Sequence, residues 1–232
     1  MFEDLKISNV LFLDVETAPV VYKYTDLDES MRKLWDTKFR FQQTEGPEAQ
    51  YKKAGVYAEF AKVICVSVGF FNDETFRIKS FCGNDEKLLL QNFAALLSEH
   101  YNRKEHLLCA HNGKEFDFPF LCRRMLINGI KLPKILNIAG KKPWEISHLD
   151  TMELWKFGDY KSYTSLNLLA NIFNIPTPKD DIDGSDVARV YWEEQDLKRI
   201  AVYCQKDVIT VAQLLLRFKG DQLIADKNIF YT

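Results

Sequence analysis

Asp14 and Glu16 stand two residues apart at the end of an apolar run, Asn9-Val10-Leu11-Phe12-Leu13-Asp14. On a strand, side chains at i and i+2 leave one face, roughly 6.5–7 Å apart. Two like charges so placed raise each other's pKa and oppose folding unless a cation neutralises them, and a hard divalent metal with oxygen ligands does so. A pair of solvated acids in a turn is the competing reading, and Ala18-Pro19 fits a chain break there. Asp117 closes the stretch His111-Asn112-Gly113-Lys114-Glu115-Phe116-Asp117 and precedes Phe118-Pro119. It falls between an expected strand and an expected helix, where α/β sites are commonly built. A plain helix cap is its competing reading. Tyr203 and Asp207 are four residues apart, so on a helix their Cβ atoms sit about 5–6 Å apart on one face. That face also carries Ile200, Val211 and Leu214. A carboxylate there is costly to bury without a partner. The partner is a Lys or Arg from elsewhere, the Tyr203 hydroxyl, or a metal.

The elements that must position these groups are legible as patterns. Residues 9–14 are too short for a helix and read as a central strand. Residues 63–71, rich in β-branched side chains, read as a second strand, and 75–82 as its hairpin partner across Asn72-Asp73-Glu74. Residues 106–110 and 145–149 are two further strand candidates. Leu88, Leu89, Phe93, Leu96 and Leu97 give 85–101 a helical period. Pro119 suits the first turn of a helix to Ile127, with Gly129 after its end. Ser165 can cap a helix reaching Phe173. Further helices are expected from about Asp186, and from Asp196 to Phe218 with Gly220 as the stop. The order predicts one α/β domain over 1–232 with a mixed sheet flanked by helices. Residues 22–60 lack a clean period and read as a partly helical insertion after the first strand.

A length of 232 residues and a hydrophobic share of 47% allow a substantial core. The net charge of −2 hides an excess of basic residues between 101 and 161, eleven against seven acidic ones. Such a stretch can line a polyanion groove or form an ordinary solvated face. No two of the five cysteines form a CxxC pair, and buried free thiols in a reducing cytoplasm are expected. Met1-Phe2-Glu3-Asp4 is acidic where a signal peptide is basic, and no apolar run reaches membrane-spanning length, so a cytoplasmic protein without membrane contact is expected.

Taken in order, Asp14-Val15-Glu16-Thr17, then Asn112 with Phe116-Asp117, then Tyr203-x-x-x-Asp207 resemble the three motifs of ribonuclease-H-like 3′–5′ exonucleases of the tyrosine (DEDDy) subtype. Within that superfamily the chain is similar to the small exonucleases related to the proofreading domain of family B DNA polymerases. The resemblance spans about residues 9–217 and includes the loop Asp181-Ile182-Asp183-Gly184-Ser185. It implies a mixed five-stranded sheet with the first motif on the central strand. It implies a two-metal hydrolysis of terminal phosphodiester bonds, with Mg²⁺ or Mn²⁺, that releases nucleoside 5′-monophosphates from nucleic acid with a free 3′ end, single-stranded DNA foremost. Asp14, Glu16 and Asp207 would ligate the catalytic metal. Asp14 would also touch the second metal, and Asp117 would contribute directly or through water. Tyr203 would orient or deprotonate the attacking water, while Thr17, Asn112 and Phe116 would contact the terminal nucleotides. The polymerase relatives carry a polymerase domain beyond the third motif; here Thr232 follows soon after it, and a protein partner for substrate delivery is a further expectation.

A catalytically silent nucleic-acid-binding module on the same fold is the alternative. Occupied positions at all four carboxylates and the tyrosine favour catalysis. Phe116 has a competing reading as a core aromatic beside Phe118 and Phe120. Asp150 reads better as the cap of a helix starting at Thr151 than as part of a site, and His111 and His148 as structural histidines. A calcium loop near Asp181 fails on spacing, with Lys179 and Val190 at its first and last ligand positions.

Overall fold

The computed structural model describes residues 5–41, 46–159, 163–176 and 182–232. Lys161 of the basic stretch, Lys179 and Asp181 lie outside the described residues. Six strands form one mixed sheet: β1 (Val10–Pro19), β2 (Ala61–Asn72), β3 (Thr75–Cys82), β4 (Leu107–Ala110), β5 (Leu149–Asp150) and β6 (Ile229–Tyr231). Their order is β5-β4-β1-β2-β3-β6. β1 and β3 run antiparallel to β2, and the remaining pairs are parallel. The mixed sheet and its central first strand match expectation, and β6 adds a sixth strand along β3. The strand expected over 145–149 shrinks to Leu149–Asp150. One cause is visible next door, where the Leu108 N–H donates to the His148 ring at 3.3 Å instead of to a strand carbonyl.

Among the described residues, eight α-helices accompany the sheet: α1 (Glu29–Phe39), α2 (Gly46–Gln50), α3 (Glu86–His100), α4 (Asp117–Ile127), α5 (Thr151–Lys156), α6 (Leu166–Ile172), α7 (Val187–Arg189) and α8 (Leu197–Lys219). Most starts are capped as their sequences suggest. Asp85 accepts from Leu88 N, Ser165 from Leu168 N and Asp196 from Arg199 N. Gly220 ends α8 with φ of 78°, a left-handed geometry that glycine adopts without a Cβ clash.

The two-residue period of β1 divides its neighbours. Leu11, Leu13 and Val15 enter one core with α3 and α4, through Leu90, Phe93, Phe118 and Leu121. Val10 and Phe12 enter the other with Val208, Val211 and Leu215 of α8, and Ala18 meets Ile200 and Cys204. Burying each such side chain contributes roughly 1.5–3 kcal/mol. The even-numbered residues of β1 therefore face α8, and Asp14 and Glu16 lie in that row.

Across the first core, Glu86 and Arg124 are both buried and form a two-pronged ion pair, at 2.8 Å from Nε and 2.5 Å from the terminal nitrogen. Glu86 also accepts from Val63 N and Asn128, and Arg124 donates to Ala58 O. Residues 22–60 form α1, α2 and a 3₁₀ turn, Tyr51–Val56, around the fully buried Trp35. Phe39, Tyr51, Tyr57 and Phe60 ring that indole at centroid distances of 4.2–5.9 Å.

The expectation of free cysteines needs one correction. Cys65 and Cys82 face each other across the β2–β3 pair and are joined as a disulfide. Cys109 and Cys204 are buried free thiols, and Cys122 is half-buried.

Candidate active site

The site forms where the middle of β1, the start of α4 and one face of α8 meet; the strand expected over 9–14 runs on to Pro19, so Asp14 and Glu16 lie within it rather than at its end. The pairing of β1 with β2 shifts between Glu16 and Thr17, where Ile64 of β2 is the extra residue. Bulges of this kind re-aim side chains beside active sites. Asp14 and Glu16 project together, as the i, i+2 spacing requires, with carboxylate oxygens within 4.8 Å of each other. α8 presents Tyr203, Cys204 and Asp207 over them, and the Tyr203 hydroxyl bonds to the Asp207 carboxylate. Asp117 arrives from α4. It is 3% exposed and lies close enough to Asp14 to repel it. Phe116, not Asp117, takes the cap position of α4, so the plain-cap reading of Asp117 does not hold. The Asp117 carboxylate instead accepts from main-chain N–H groups, its own and that of Val15.

The electrostatics follow from burial and crowding. Burial pushes the Asp14 carboxyl up to about 6, partly offset by hydrogen bonds from Cys204, Glu16 and Val15. Burial also drives Glu16 well above the ordinary carboxylate range, reinforced by the charges of Asp14, Asp207 and Asp117. Asp117 shifts the same way, through burial and Asp14. Burial, then the charges of Asp207, Glu16 and Asp14, raise the Tyr203 phenol far above its usual value. Four mutually repelling carboxyl groups fit a cationic guest. Asp14 Oδ2 adds a sharper sign, being buried and without a hydrogen-bond partner among the described residues. Hard oxygen donors around an orphaned oxygen suit a divalent cation such as Mg²⁺ or Mn²⁺.

This arrangement predicts an unusual pH dependence for the metal-free protein. A carboxyl whose folded pKa lies above its unfolded value supports folding most fully below the unfolded pKa, and that support is lost as pH rises through the folded pKa. For Asp14 the window runs from 3.8 to about 6. In chelator, wild type should lose up to about 3 kcal/mol relative to Asp14→Ala across that window, and Mg²⁺ or Mn²⁺ should restore it at neutral pH. Thermal melts of both proteins from pH 4 to pH 7 check this; identical pH profiles contradict it.

The other expected residues are placed as follows. Asn112 has φ of 62°, a left-handed geometry that Asn tolerates. Phe116 is half-buried and packs against Phe120 at 5.3 Å, so much of its surface serves the core. Thr17 donates its hydroxyl proton to Gly55 O at 2.7 Å. Two residues matter more than their sequence context suggested. Cys204 Sγ lies within 4.8 Å of carboxylate oxygens of both Asp14 and Glu16, and donates to Asp14 O at 3.4 Å. Its place between Tyr203 and Asp207 was the available signal. Asp150 does cap α5, accepting from Met152 N and Glu153 N. It also accepts from Asn112 N at 2.9 Å and Lys114 N at 3.0 Å, which ties down the loop that leads to Asp117. Gly113 lets that loop close, since a Cβ there would lie 2.5 Å from the Ala110 Cβ. His111 is structural, bonded to Thr151 and Thr164 O.

A mixed sheet flanked by helices carries an acidic cluster on its central first strand, under the last long helix. The family B DNA polymerase of the hyperthermophilic archaeon Pyrobaculum calidifontis shares this fold, with a TM-score of 0.50 and 15% identity over 90% of this chain and 24% of that one. Residues 56–226 match the family described as "predicted 3′-5′ exonuclease related to the exonuclease domain of PolB", and the chain belongs to that family. It is also 21% identical, over 178 residues, to a DNA polymerase of Pyrococcus glycovorans, a match covering 67% of this chain and 22% of the polymerase. The chain thus spans under a quarter of the length of these two relatives. Among the described residues, no helix is long and apolar enough to cross a membrane.

Proposed function

We propose that this chain is a working 3′–5′ exonuclease that removes nucleoside 5′-monophosphates from the free 3′ end of a nucleic acid strand. The observation that carries this reading is the convergence of Asp14, Glu16, Asp117 and Asp207 beside the Tyr203 hydroxyl, with one Asp14 oxygen buried and unpartnered. Single-stranded DNA is the favoured substrate, because both polymerase relatives are named as DNA polymerases. Residues 1–232 act as one exonuclease domain with an insertion at about 22–60.

Two divalent cations, Mg²⁺ or Mn²⁺, suit the four carboxylates and, when bound, supply water activation on one side of the phosphorus and charge stabilisation of the leaving 3′-oxygen on the other. Asp14, Glu16, Asp117 and Asp207 would hold them, Asp14, Glu16 and Asp207 at the catalytic position and Asp117 at the second. Tyr203 keeps its proton, since burial and three neighbouring carboxylates oppose a phenolate. It therefore orients the attacking water by hydrogen bonding and does not act as the base. Cys204 and Asp150 fix the frame, one by tying α8 to Asp14 and the other by holding the loop before Asp117. Asn112 and Phe116 flank the site as nucleotide contacts. Thr17 has already committed its proton to Gly55 and contributes as an acceptor or through its main chain.

A linear and a circular single-stranded DNA of equal length, incubated with Mn²⁺, test the reading. Mononucleotides should appear from the linear strand only. Cleavage of the circle points to an endonuclease, and binding of both without cleavage points to the silent module. Tyr203→Phe, which keeps the ring and removes the hydroxyl, should lower kcat by roughly 10–100-fold, less than loss of any carboxylate. An unchanged kcat removes the tyrosine from the mechanism.

A further inference from the structure

We propose that the 3₁₀ turn Tyr51–Val56 is a second anchoring subsite, in which Lys52 and Lys53 hold backbone phosphates of the substrate strand upstream of the bond to be cut. The inference rests on the exonuclease reading and gives residues 22–60 a task. The turn lies against β1 immediately beyond Glu16. Thr17 Oγ1 donates to Gly55 O at 2.7 Å, and the Tyr51 hydroxyl donates to Val21 O at 2.9 Å. Val20 N donates to Phe60 O at 2.9 Å, which pins the far end. A Cβ at Gly55 would meet Thr17 Oγ1 at 3.7 Å and Pro19 Cδ at 4.0 Å, ordinary contact distances that place the turn against β1.

Three residues per turn then decide which side chains face outward. Tyr51 and Ala54, three apart, are 3% and 0% exposed and sit in the aromatic core around Trp35. Lys52 and Lys53 fall off that face and are exposed. Neither has an acidic partner among the described residues. A cluster of four carboxylates repels a polyanion unless cations intervene. Two exposed ammonium groups on a turn bonded to Thr17, the neighbour of Glu16, supply that attraction, and they act on phosphates of any sequence. The rigid packing also lowers the ordering cost of binding, because the turn is already in place.

The test uses the full chain and fluorescently labelled oligo(dT), with Ca²⁺ present so that binding is read apart from turnover. Lys52→Gln/Lys53→Gln should weaken binding about tenfold, and the slope of log K against log salt should fall by about 1.4, from about 0.7 per lost phosphate contact. In Mn²⁺, the ratio of kcat/KM for oligo(dT) to that for a dinucleotide should fall by a similar factor, because a dinucleotide has no upstream phosphates. Lys87→Gln/Lys227→Gln, an exposed pair elsewhere, is the control for general charge loss. Unchanged affinity and slope in the Lys52/Lys53 variant overturn the subsite, and so does an equal loss in the control pair. A wild type that binds oligo(dT) but cleaves nothing contradicts the exonuclease reading instead, and the binding comparison still decides the subsite.

Discussion

Asp14→Ala is expected to lower turnover by about 10³-fold or more while the metal-free protein keeps its fold and becomes slightly more stable at neutral pH. Both halves come from one cause. The carboxyl of Asp14 is pushed up to about 6 because burial disfavours its charge, an effect its neighbours only partly offset, and one of its oxygens has no partner among the described residues. Such a group is costly to the fold in the absence of cations and indispensable when they bind. Truncation also leaves Glu16 and Asp117 with less repulsion, since both feel the Asp14 charge. The checks are kcat in Mn²⁺ and melting temperature in chelator. A variant with wild-type kcat removes Asp14 from the chemistry. A variant that loses activity by melting in chelator well below wild type shows only a structural role.

Arg124→Met is expected to destabilise the protein by about 3–5 kcal/mol with no direct effect on the site's chemistry. The cost is that of stranding Glu86, which is 8% exposed and would keep its bonds to Val63 N and Asn128 but lose both bonds to the guanidinium. Ala58 O would lose its donor as well. For a chain of this length the melting temperature should fall by roughly 10 °C. Adding Glu86→Gln to Arg124→Met should recover part of the loss, because the stranded charge disappears. Melting curves of the two variants check both statements; a single variant as stable as wild type means the pair contributes little.

The parts of this fold that follow a short period were legible. The alternation of β1 gave Asp14 and Glu16 a common face, and the stripe Ile200, Val211, Leu214 set Asp207 on the buried side of α8. Convergence with Asp117 came only from the resemblance and from no local period, because it depends on the loop before α4, which Asp150 holds from far along the chain. Asp150 was read as a cap because its own helix is adjacent in sequence, while its second pair of donors comes from about 36 residues away. Cys204 looked like one more buried thiol, and only packing against β1 brings its sulfur to the carboxylates. The bond between Cys65 and Cys82 follows from hairpin register, since the pairing that sets Asn72 opposite Thr75 also sets Cys65 opposite Cys82, which a cysteine count does not reveal. β6 is three residues long and pairs with a strand about 150 residues earlier, so no local pattern announces it. The period missing from 22–60 also has a physical cause. Its core is one indole ringed by aromatics from several short turns, not a stripe along a helix.

The most direct test of the central claim is a time course on 5′-labelled single-stranded DNA and RNA, with Mg²⁺, with Mn²⁺ and with chelator. The carboxylate cluster predicts a ladder that shortens stepwise from the 3′ end, present only with the divalent cation. Degradation that persists in chelator, or label released first as a mononucleotide from the 5′ end, contradicts it.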